Sequence, residues 1–169
     1  MTNISILDRL NALEEEDKLI GYSPTVVAFQ DGVPRKLWLT PEAKQWCFPS
    51  RSRNVDRVGE TSLAAALQQL NSFVFGRTMI ENEDMKHLQP HVKEVWSIRT
   101  MLDPKVRLFG WFVCPRHFIV VHGKRRDALG TTASGPQWDK AIQKVVDRRN
   151  ILFPGTVLYR GNTFADYVG

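Results

Sequence analysis

Between Val95 and His122 three runs rich in Val, Ile, Phe and Trp follow one another: Val95 to Thr100, Val106 to Val113 and Phe118 to His122. Such residues favour a pleated, half-buried surface. Asp103-Pro104 and Pro115-Arg116 supply the turns between the runs. Strands joined by connections this short pair with their neighbours in antiparallel fashion, since a parallel pair needs a long crossover. A meander over residues 95–123 is therefore the expected central sheet, and the other segments must fold around it.

On the N-terminal side, Ile4, Leu7, Leu10 and Leu13 recur at helical spacing behind Asn3 or Ser5 as caps. Thr25 to Gln30 and Val33 to Leu39, separated by Asp31-Gly32, read as a hairpin with a type I′ turn, and Pro34 places its second strand at a sheet edge. Thr40-Pro41-Glu42 reads as the cap and first turn of a short helix holding Trp46, followed by a basic loop from Pro49 to Gly59. Thr61 or Ser62 opens a second helix through Leu63, Leu67 and Leu70, closed by Gly76. Beyond the meander, Gly130 to Pro136 is a small-residue loop, and a third helix over 137–149 carries Trp138, Ile142, Val145 and Val146 on one face. The tail from Ile151 to Gly169 has no strong period. The expectation is a single α+β domain over 1–169, with a small antiparallel-rich sheet packed against helices. Its core spans 25–126, with helical extensions over 1–22 and 127–169.

No apolar run approaches the ~20 residues that cross a bilayer, and Glu14, Glu15 and Glu16 break any signal-peptide layout. With only Cys47 and Cys114, a disulfide framework is not expected. These features point to a cytoplasmic protein without a membrane partner. Cys114, His117 and His122 are scattered by strand alternation and a turn, so neither a metal site nor a cofactor is expected.

The net charge is +5, and it is unevenly spread. Residues 1–34 hold six acids against two bases, whereas residues 86–126 hold nine bases against two acids. A second basic block over 35–59 includes Arg51 and Arg53. Two basic blocks suit a polyanionic partner, because Lys and Arg that neutralise phosphates release counterions. A basic surface facing only solvent is the alternative that charge alone leaves open.

If Pro115-Arg116 is a two-residue turn, Cys114 faces His117, Trp111 opposes Val120, Phe109 opposes His122, and Arg107 opposes Lys124. Alternation then puts Trp111, Val120, Phe109, His122, Arg107 and Lys124 on one face, with Leu108, Phe112, Ile119 and Val121 on the other. Trp111 becomes a candidate for exposure and for stacking on a base. Arg107, His122 and Lys124 gather at a cationic end. Cleavage of RNA through its own 2′-hydroxyl needs proton transfer and positive charge on a phosphorane-like transition state, which His, Arg and Lys supply. The alternative is that Arg107 pairs with a nearby acid and His122 merely ends a strand.

The segments Val95-Trp96-Ser97-Ile98-Arg99-Thr100, Val106-Arg107-Leu108-Phe109 and Val120-Val121-His122-Gly123, followed by Lys124-Arg125-Arg126, resemble the RelE/ParE/HigB toxin superfamily. Asp84-Met85-Lys86-His87-Leu88 resembles the segment that leads into that family's sheet, so the likeness covers about residues 84–126. It implies a prokaryotic or phage toxin of a toxin-antitoxin system, an endoribonuclease that cleaves mRNA on the ribosome without a metal. Carried onto this chain, Arg99 and Arg107 hold phosphate, His122 is acid or base, and Lys124 or Arg125 stabilises charge, with Glu83 or Asp84 near an acidic base of some members. Lys105, Arg125, Arg126, Arg51, Arg53 and Trp111 are the expected RNA-binding residues. An antitoxin protein and a second copy of the chain are the implied partners. A non-catalytic protein of the same fold, acting as an inhibitor or regulator through its basic face, is the alternative, and a topoisomerase poison is a third reading. The chain extends well past the basic cluster at which typical members stop, and neither Tyr159 nor Tyr167 matches their frequent C-terminal catalytic tyrosine.

Overall fold

The computed structural model describes residues 5–24, 32–49, 57–101, 103–132 and 134–169. Ser5 caps helix α1 (Ile6–Glu15) by accepting from the Asp8 amide. Strands β1 (Ile20–Gly21) and β2 (Lys36–Leu39) follow, then helix α2 (Pro41–Cys47), capped by Thr40 as its Thr-Pro-Glu sequence predicts. Helix α3 (Arg57–Val74) starts four residues before Thr61, so the basic loop is shorter than expected. Strands β3 (Met85–His87), β4 (Trp96–Arg99), β5 (Val106–Cys114) and β6 (His117–Arg125) come next, then helices α4 (Pro136–Leu152) and α5 (Phe164–Val168).

The fold is α+β, built on one six-stranded mixed sheet in the order β1-β2-β6-β5-β4-β3. The expected meander is present: β4, β5 and β6 are consecutive antiparallel neighbours. The expected hairpin differs. Residues 25–31 lie outside the described residues, and β2 pairs antiparallel with β1 and parallel with β6, so it is an interior strand. Pro34 precedes that strand by two residues, and its missing N–H costs the ladder nothing.

The register of β5 against β6 explains how the faces are assigned. Cys114 faces His117, Phe109 faces His122 and Arg107 faces Lys124, as a two-residue turn predicts. Between these points the ladder shifts by one residue, at Phe112/Cys114 and again at Phe109/Gly110, so Trp111 opposes Ile119 instead of Val120. Two compensating irregularities turn Ile119 and Val121 to the Trp111 face and Val120 to the other, because a one-residue slip exchanges faces. Gly110 permits the shift: a Cβ there would lie 1.9 Å from the Ile119 carbonyl oxygen.

Both sheet faces are covered. Leu10 and Leu13 of α1 and Trp138, Ile142 and Val145 of α4 pack on Phe109, Trp111, Ile119 and Val121. Ala43 and Cys47 of α2, Leu70 and Phe73 of α3, and Tyr167 and Val168 of α5 pack on Leu108, Phe112, Phe118 and Val120. Burying each of these large side chains stabilises the fold by roughly 1.5–3 kcal/mol. The tail without sequence period is thus held by a capping box, Thr163 with Asp166, and by two anchors in the second core. At the end of the sheet where β5 begins and β6 finishes, Val106 is buried in the second core while Lys124 and Arg125 are only half-buried.

Candidate nucleic-acid interface

At that end the meander delivers three arginines from three places. Arg99 closes β4, Arg107 is the second residue of β5, and Arg126 follows β6. Arg107 is 4% exposed and donates through Nη1 to the carbonyls of Thr100 (3.2 Å) and Val106 (2.8 Å). Arg99 donates to the Asn82 carbonyl, and Arg126 to the carbonyls of Gly130, Thr131 and Thr132. The small-residue loop before α4 therefore holds Arg126 in place. Among the described residues none of the three forms an ion pair with a carboxylate.

Carbonyl oxygens orient a guanidinium but do not neutralise it. The consequence shows in the proton affinities. Burial, then Arg99 and Arg126, pushes Arg107 down to about 10. Burial and Arg126 lower Arg99 as well. The three guanidiniums stand close together, with no described carboxylate paired to offset their mutual repulsion. An arrangement of this kind is complementary to an anion placed among them.

Room for one exists on either side. A cavity of about 450 Å³ is bordered by Leu88, Pro90, Ser97, Trp138 and Ile142, and one of about 750 Å³ by Asp103, Lys105, Arg125, Asp127 and Thr131. Arg99, Arg107 and Arg126 line both. Lys86 adds a further cation to the first.

The expected site residues divide accordingly. Arg99, Arg107, Arg126, Lys105 and Arg125 come together in the cleft, although Arg125 is paired with Asp127. Lys124 stands beside Arg107 in the ladder, half-buried, but borders neither cavity. Arg51 and Arg53 lie outside the described residues.

Two expectations are corrected. His122 is 2% exposed beneath α4, stacked 4.9 Å from Phe109, and its Nε2–H donates to the Ala141 carbonyl at 3.0 Å. Burial holds its proton affinity below the ordinary value. The helix that the sequence left unplaced covers it, so it reaches no substrate in the cleft. Trp111, the candidate for exposure, is 3% exposed and meets Phe153 edge to face under the same helix. Asp84 accepts from the Ile80 amide and the Gln69 side chain, and neither it nor Glu83 borders the cleft.

Sequence reasoning missed Ser97, Leu88, Pro90, Trp138 and Ser134 as cleft residues. The apolar stripe of α4 was legible, but its position over the meander was not. Among the described residues no cluster of three or more His, Cys, Asp or Glu side chains is placed to hold a metal, and no helix is long and apolar enough to cross a membrane. No family model, curated protein or solved structure matches this chain.

Proposed function

We propose that this chain binds RNA through the cleft of Arg99, Arg107 and Arg126, which grips the phosphodiester backbone. The observation that carries this reading is the set of three arginines tied to backbone carbonyls, unpaired with any described carboxylate, at the junction of two cavities. Lys86, Lys105 and Arg125 extend the cationic path along a strand. The reading agrees with the RelE/HigB resemblance, which gives Arg99 and Arg107 phosphate contacts. It also admits an antitoxin that covers the cleft.

Endoribonuclease activity is the catalytic form of the same proposal. The three arginines favour it, since they would stabilise charge developing on a phosphorane-like transition state. The burial of His122 removes the acid-base group expected for it. Binding without cleavage is therefore the form that the geometry supports better.

Incubation of the protein in a translating extract, with wild type compared to Arg107→Ala, separates the two. Fragments made by wild type alone assign cleavage to the cleft. Intact RNA, with retention of labelled RNA by wild type and its loss in the variant, assigns binding. No retention and no cleavage by wild type rejects both.

A further inference from the structure

The two cavities beside the arginines differ in chemistry. The larger is bordered mostly by polar and charged residues, with Lys105, Arg125 and Thr131 among them. The smaller adds four apolar residues, Leu88, Pro90, Trp138 and Ile142, to eight polar or charged ones. One of these is Ser97, whose Oγ is buried without a hydrogen-bond partner among the described residues. Asp139 and Gln89 are exposed residues of the same wall. The Arg126 guanidinium lies 5.5 Å over the Trp138 ring, so the chamber already presents one stacked cation–ring pair.

A backbone alone explains the larger hollow but not the smaller. A ribose phosphate has no apolar face to place against the exposed Pro90 or against the small parts of Leu88, Trp138 and Ile142 (4% to 6% exposed) that border the chamber. A nucleobase has two apolar faces and a polar edge, which suits a chamber that sets a few apolar residues among donors and acceptors. The volume of about 450 Å³ falls within the ~300–1,000 Å³ range of small-ligand chambers, enough for one base and its sugar.

We infer that the smaller chamber takes the base of one unpaired nucleotide whose phosphate lies on Arg99, Arg107 and Arg126. The cleft accordingly selects single-stranded RNA over duplex RNA, because a base held in a stacked helix does not reach the chamber until it is unpaired. This inference rests on the RNA-binding reading. It adds to that reading a strand requirement and a place for the base.

The test is fluorescence anisotropy with a labelled 12-nucleotide single strand and the same sequence as a duplex, titrated with full-length protein. Wild type is expected to bind the single strand about tenfold or more tightly than the duplex. Ser134→Trp sits at an exposed position bordering the chamber, where a bulky ring blocks entry without disturbing either core. It is expected to bring single-strand affinity down to the duplex level. A 2-aminopurine placed in the single strand checks the base directly: its fluorescence should change on binding wild type and not on binding the variant. Equal affinity of wild type for both RNAs, or a preference that Ser134→Trp leaves intact, overturns the chamber while leaving RNA binding by the arginines standing. Absence of binding to either RNA overturns the RNA reading itself.

Discussion

Arg35 and Arg107 are both buried, and both are held by backbone carbonyls, yet they occupy opposite situations. Arg35 is 6% exposed. It donates to the carbonyls of Val168, Phe73 and Arg77 at 2.6 to 3.1 Å, with its guanidinium over the Phe73 ring. It ties together the start of β2, the end of α3 and α5, and it borders none of the cavities described above. Arg107 also meets carbonyls, but it stands between Arg99 and Arg126 and opens onto two cavities. Burial of an arginine is thus no sign of function by itself. Arg116 repels Arg35 much as Arg99 and Arg126 repel Arg107, and neither has a described carboxylate partner; what distinguishes Arg107 is the empty space beside it.

The comparison breaks if the two residues respond alike to mutation. Arg35→Ala leaves several carbonyl acceptors unsatisfied in the core, so a loss of about 3 kcal/mol in urea unfolding is expected, with RNA affinity unchanged in protein that stays folded. Arg107→Ala removes two carbonyl contacts but also relieves repulsion, so its stability should stay within about 1 kcal/mol of wild type. Its RNA affinity should fall by about 2 kcal/mol, roughly thirtyfold, in an anisotropy titration.

Acid should act on the cores rather than the cleft. His122 and His87 are both held below their ordinary value of 6.5, His87 to about 4, chiefly by burial. Their neutral forms are favoured in the folded protein, so their contribution is complete above pH 6.5. It is lost as pH falls from there toward their lowered folded values. Urea unfolding should therefore show a loss on the order of 1 kcal/mol between pH 7 and pH 5, reduced in His122→Phe. Smallest of all, Arg126→Ala should lower the slope of log affinity against log salt by about 1.

What was legible in the sequence was local. The cap residues Ser5 and Thr40 and the β-type runs of the meander depend on neighbours a few positions away, and they appear where expected. The parallel pairing of β2 with β6 joins segments about 80 residues apart, and no local pattern records it. The paired irregularities at Gly110 and Val113 exchange faces for three residues of β6 and return the register afterwards, so the ends of the ladder were read correctly and its middle was not. For the site, charge density located Arg99, Arg107, Arg126, Lys105 and Arg125. His122 was assigned the right partner, Phe109, but the wrong environment, because the docking of α4 is a tertiary event. The same docking hid Trp138 and the chamber wall.

The central claim is that three arginines without a carboxylate partner among the described residues form an RNA-binding cleft. Its most direct test is the affinity of the Arg99→Ala/Arg126→Ala double variant for a single-stranded RNA, measured beside its thermal midpoint. The account predicts a loss of a hundredfold or more, with the midpoint equal to or above that of wild type because repulsion around Arg107 is relieved. Wild-type affinity in a folded double variant, or a midpoint that collapses together with binding, would contradict it.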